Sequence, residues 1–106
     1  MTLAGLYTAL NSLGMPVAYG SFPQPIEPPF IVYLFTSSDD MMADNQNYME
    51  ISNFQVELYT AKKDTVKEVL IQDKLKELRL PYQKLETWIS SEKLYQNVYL
   101  IQKIGG

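Results

Sequence analysis

Phe30-Ile31-Val32-Tyr33-Leu34-Phe35, an unbroken run of strand formers, directly follows the pair Pro28-Pro29. Successive side chains of a strand point to opposite faces, so a segment apolar at both parities must be covered on both sides. The run therefore predicts a strand at the centre of a sheet. A central strand needs neighbours and a covering layer, and 106 residues can build that arrangement once, around one core. Composition agrees: 46% apolar and 20% charged residues are the proportions of a chain that folds. A single domain over residues 1–106 is expected.

Upstream, Leu3, Leu6, Tyr7, Leu10 and Leu13 fall on one stripe at helical spacing between a capping Thr2 and a terminating Gly14, which predicts a helix over residues 3–13. Pro16, Gly20, Pro23, Pro25, Pro28 and Pro29 then leave room only for a short edge strand over residues 17–20. The rest of that stretch reads as a stiff connector. Downstream of the central run, a polar loop is expected over residues 36–46. A long extended segment follows, in which Met49 and Ile51 share one parity while Phe54, Val56 and Leu58 share the other. The inward face thus switches near Ser52-Asn53, which demands a bulge or a break; one bent strand is the preferred reading.

Thr65-Val66-Lys67-Glu68 has the form of a capping box, and helical residues run on to Arg79 before Pro81 forces an end. On a wheel, Glu68, Gln72, Lys76 and Arg79 make a polar face. Val66, Val69, Leu70, Ile71, Leu75 and Leu78 spread over more than half the circumference, more than one sheet can cover. Either this helix is sunk between sheet and loops, or Ile71, Leu75 and Leu78 meet a neighbouring subunit. Residues 82–89 and 94–103 alternate in strand fashion around Ser90-Ser91-Glu92-Lys93, a hairpin with a four-residue connection. The predicted fold is α+β, a mostly antiparallel sheet with two packed helices in the order α-β-β-β-α-β-β.

The residue inventory speaks against catalysis. Without His or Cys there is no Ser-His or Cys-His pair, no serine lies in a Gly-x-Ser-x-Gly elbow, and only a Ser-Lys pair is left as a nucleophile arrangement. Glu50 and Glu57 fall on strands, and Glu68, Asp73 and Glu77 on a helix surface beside lysines, as solvated charges do. Gly5, Gly14, Gly20, Gly105 and Gly106 make no phosphate loop. No enzyme activity and no cofactor are expected. A net charge of -3 disfavours a phosphate-binding surface, so no sequence-specific nucleic acid is expected as a partner. No apolar run approaches the roughly 20 residues that cross a bilayer, and residues 1–13 lack a basic leader, which argues against membrane insertion and secretion. The absence of cysteine is compatible with a reducing cytoplasm.

Ser37-Ser38-Asp39-Asp40-Met41-Met42-Ala43-Asp44-Asn45 sets two adaptable apolar side chains among acids. Protein contact through Asp39, Asp40, Met41, Met42, Asp44 and Asn45 is one reading; the other folds both methionines back onto the sheet. A calcium loop would need the alternating ligands, central glycine and closing glutamate that this segment lacks, so no metal site is expected. Pro25-Ile26-Glu27-Pro28 matches a minimal proline-helix ligand, but within a folded domain a rigid connector explains it better, because the neighbouring residues read as strand.

Several segments together resemble a known class: Pro29-Phe30-Ile31-Val32-Tyr33 opening a strand, the acidic loop from Asp39 to Asn45, and Tyr48 leading into Phe54-Gln55-Val56-Glu57-Leu58-Tyr59-Thr60. Lys62-Lys63-Asp64 before the helix, and Glu86-Thr87 with Ser91-Glu92-Lys93-Leu94-Tyr95 in the hairpin, complete the pattern. The sequence is similar to the small tail terminator or tail completion proteins that join tail to head in long-tailed bacteriophages and prophages of Gram-positive hosts. The resemblance implies a virion protein, assembled in the bacterial cytoplasm, that oligomerises as a ring, commonly a hexamer. Such a ring caps the tail tube at the head-tail junction, with the tail tube protein and a head completion protein as its further partners. It implies no catalytic residues. A head-tail connector, another head completion protein, or a cytoplasmic protein-interaction domain outside the virion are the alternatives. A ring of head-to-tail contacts needs two different adhesive patches on each subunit. The arc of the second helix and either the Asp39 to Asn45 loop or a strand edge are the candidates.

Overall fold

Thr2 accepts a hydrogen bond on its side-chain oxygen from the Gly5 amide at 3.0 Å and starts α1, Leu3–Asn11. The helix closes through Leu13 and Gly14, whose φ of 88° is the left-handed turn that glycine adopts without strain. The computed structural model describes residues 2–43 and 46–104. Its further elements are β1 (Val17–Tyr19), β2 (Phe30–Ser38), β3 (Met41–Ala43), β4 (Gln46–Met49), β5 (Ile51–Thr60), α2 (Thr65–Glu77), β6 (Tyr82–Ile89) and β7 (Leu94–Ile104). Five strands form one sheet in the order β1-β2-β5-β7-β6, antiparallel throughout except for β1 beside β2, and β3 with β4 forms a separate ribbon. The fold is α+β, and the order of helices and main-sheet strands is α-β-β-β-α-β-β.

The register explains the core. Ile31 and Tyr33 lie opposite Leu58 and Val56, which lie opposite Asn97 and Tyr99, so these residues share a face. Both helices cover that face: Leu6 and Leu10 of α1 and Ile71 and Leu75 of α2 pack with them, and Val56, Leu58, Ile71, Leu75 and Tyr99 have no exposed surface. At about 25 cal/mol per Å² of apolar area removed from water, this one-sided cluster is the main favourable contribution to folding. The opposite face carries no helix. There Val32 is buried because the connector after β1 folds back over it, with Phe22 edge-on to Phe30 and Phe30 stacked on Tyr59. The Pro28-Pro29 peptide bond in that connector is cis.

Four expectations need correction. The apolar run of β2 is not the sheet centre; β5 is, and β2 is covered on both faces because the proline connector takes the place of a second layer. The loop expected over 36–46 is strand at both ends: β2 continues to Ser38, and β3 pairs with β4 as an arm beyond the main sheet. The bent strand is two strands broken at Glu50, and no bulge falls at Ser52-Asn53: β5 pairs with β7 from Ile51 to Thr60 without a shift, and the extra residue sits instead on β2, as Thr36 between Phe35 and Ser37. The second helix is capped by Asp64, whose carboxylate accepts from the Lys67 amide at 3.1 Å, and not by a Thr65 to Glu68 box. Glu68 is engaged elsewhere.

Candidate interaction surfaces

Glu68 decides how α2 sits. Its side chain is 3% exposed, beneath the helix and against the sheet, so the stripe on the sheet is Glu68, Ile71, Gln72 and Leu75. Lys63 donates to Glu68 Oε1 at 2.9 Å and stands 2.7 Å from Oε2, an ion contact outside hydrogen-bonding geometry. Lys84 on β6 also donates to Oε1, and Lys63 bridges on to Glu86. Burial alone would raise the Glu68 carboxyl, but the hydrogen bonds from Lys63 and Lys84 outweigh it and hold the group below its ordinary range. The same contacts with Glu68 and Glu86 raise Lys63. Tyr99 is raised by burial and then by the Glu68 charge, and its hydroxyl donates to Gln72 at 3.1 Å. The arrangement is a closed ion network with its charges matched, suited to holding α2 on β6 and β7 rather than to moving a proton.

This packing corrects the expected role of three residues. Ile71 and Leu75 are fully buried in the subunit's own core, so neither is available to a neighbour, and Leu78 packs against that core with part of its surface left exposed. With Glu68 turned inward, the apolar residues left outside are Val66 (69% exposed), Val69 and Leu70. The wheel put Glu68 on the wet side because its lysine partners lie on other elements, and Lys84 is brought close only by the sheet.

The acidic segment is partly structural. Asp39 donates its amide to the Ile51 carbonyl at 2.9 Å and takes the Asn53 side-chain amide on its carboxylate at 2.6 Å. Asp40 accepts from the Ile51 amide at 3.0 Å. These bonds fasten the base of the arm where β2 ends and β5 begins. Met41 and Met42 lie on β3, with Met41 opposite Met49 and Met42 opposite Asn47. Asp44 and Asn45 lie outside the described residues.

Two unlike edges bound the sheet. On one side, β6 exposes most of its length, with Leu85 and Trp88 about half exposed and Trp88 against Tyr95 at 4.7 Å. On the other, β1 covers only Ile31 to Tyr33 of β2, and beyond that point no described strand adjoins the outer edge of β2. The Phe35 amide on that edge donates to the Tyr19 hydroxyl at 3.2 Å, and edge groups left without such a partner recruit a neighbouring chain. Among the described residues no helix is long and apolar enough to cross a membrane.

No protein-family model matches the sequence, and no curated protein matches it significantly.

Proposed function

We propose that this chain is a structural protein of a phage virion, which assembles as a ring, commonly of six copies, on the end of the tail tube and joins tail to head. The observation that carries this reading is the pair of non-equivalent edges. The free length of β6 and the outer edge of β2 lie on opposite sides of one sheet, and a head-to-tail ring requires two such different patches on each subunit. The arm of β3 and β4 supports it, because this ribbon pairs with no strand of the main sheet and leaves an element to meet a further partner. The resemblance to tail terminator and completion proteins supplies the partners: further copies, the tail tube protein and a head completion protein. The subunit performs no chemistry in this role, and the one carboxylate buried among the described residues, Glu68, serves the ion network under α2.

Light scattering behind a sizing column tests the reading, across protein concentration and with and without the tail tube protein. A discrete ring, or a monomer that becomes a ring on the tube, is the expected result. A monomer at every concentration that ignores the tube would instead favour a cytoplasmic interaction domain.

A further inference from the structure

A cleft of about 580 Å³ opens on the helix-free face, where the connector after β1 folds back over the sheet. Phe22, Phe30, Tyr59 and Leu94 wall it, with the Phe30 and Tyr59 rings stacked at 4.8 Å. Glu57 and Glu92 supply its charge. Glu57 is held in place by the Tyr59 hydroxyl, which donates to it at 2.7 Å, and by the Gln55 amide. Those bonds orient the carboxylate without neutralising it. No lysine or arginine lines the cleft, and among the described residues neither acid joins an ion pair. The Tyr59 phenol is pushed up to about 12, by burial first, then by Glu57, with Glu92 adding to it. A half-buried carboxylate, Glu57, beside aromatic faces, with the exposed Glu92 at the rim, forms a setting that a guanidinium fits, because it stacks on rings and donates a fork of hydrogen bonds.

The chain has a single arginine, Arg79, and it is exposed with no ion pair among the described residues. Arg79 stands just past α2 with φ 58°, in a turn where the Leu80 amide reaches the Leu75 carbonyl and the Arg79 amide reaches that of Lys76. Glycine takes this left-handed position without strain, and a side chain here projects from a fixed corner. Exposed Lys76 lies beside it. The corner adjoins Gln102 and Ile104 at one end of β7, whereas the cleft adjoins Leu94 at the other, about 26 Å away at the usual strand rise. An acidic cleft and a basic corner at opposite ends cannot meet within one copy.

We propose that Arg79 of one copy seats between Glu57, Glu92 and Tyr59 of the next, as a head-to-tail contact of the assembly; the inference rests on the ring reading. The test compares the full-length wild type with Arg79→Gly, Arg79→Glu, Glu57→Gln and the exchange Arg79→Glu with Glu92→Arg. Light scattering with and without the tail tube protein is paired with thermal melts. Arg79→Gly should melt no lower than the wild type yet need at least about tenfold more protein to assemble, as loss of a charge-assisted bidentate contact predicts. Arg79→Glu should assemble still less well, and the exchange should recover most of the loss. If the wild type forms rings and Arg79→Gly forms them equally well, this contact is wrong while the ring reading stands. A wild type that stays monomeric on the tube overturns both. If Glu57→Gln loses the tube but not self-association, the cleft takes a cation of the tube protein, which also overturns the proposal.

Discussion

Replacing Lys84 by Met should destabilise the domain far more than replacing Glu68 by Met, although the two side chains share one ion pair. Glu68 is 3% exposed, whereas Lys84 is 33% and Lys63 43% exposed. Removing the carboxylate therefore frees two lysines that swing into water, and a methionine fills the space with apolar atoms. Removing Lys84 leaves a buried carboxylate with half its compensation. Breaking a fully buried pair costs about 3–5 kcal/mol, and the remaining Lys63 reduces that to about 2–3 kcal/mol for Lys84→Met, or about 10–20 °C in a domain of this size. Glu68→Met should cost less than about 1 kcal/mol, and the double variant no more than Glu68→Met alone. Urea and thermal unfolding at pH 7 would measure the cycle. The pH dependence is a second check. Glu68 has a folded value below its ordinary 4.5, so its contribution is complete above that value and is lost as pH falls through the folded one. In acid, where the carboxyl is protonated, the gap between wild type and Lys84→Met should close. Equal losses for the two single variants with an additive double, at all pH values, would refute the account of a buried carboxylate held by its lysines.

Asn97 is fully buried, and neither polar atom of its side chain has a hydrogen-bond partner among the described residues. Asn97→Leu, of similar shape, should raise stability by about 1–2 kcal/mol in urea; a loss would mean that an ordered water or a partner group satisfies the amide. Val56→Ala, in the middle of β5 and without exposed surface, should cost about 2–3 kcal/mol, and an unchanged melting temperature would contradict the register that turns it inward.

Much of the frame was legible because local chemistry dictates it. Thr2 and Gly14 bracket the first helix, Pro81 lies past the second, Ser90 to Lys93 turn the last hairpin, and the parity of Phe54, Val56 and Leu58 faces the core as read. Misreadings arose where a segment's partner is distant in sequence. An apolar run looks the same whether a second layer or a proline connector covers it, so the sequence pattern of β2 points to the centre that β5 occupies. A polar stretch such as residues 36–46 shows no strand signal when its pairing partner supplies the order.

The candidate surfaces divide in the same way. By itself, the sequence determined that the chain lacks His and Cys, that it bears excess acid, that it has one arginine, and that it folds as two helices with a mostly antiparallel sheet. Periodicity and turn chemistry act over a few residues and need no partner. Only the tertiary structure decided that Glu68 is buried while Val66 and Val69 are exposed, because Lys84 comes within reach of α2 only once β6 pairs with β7. It alone placed Glu57 and Glu92 in one cleft by the start of β7 and Arg79 beside the far end of that strand. Charges separated along the chain act together only when the sheet brings them into one low-dielectric place.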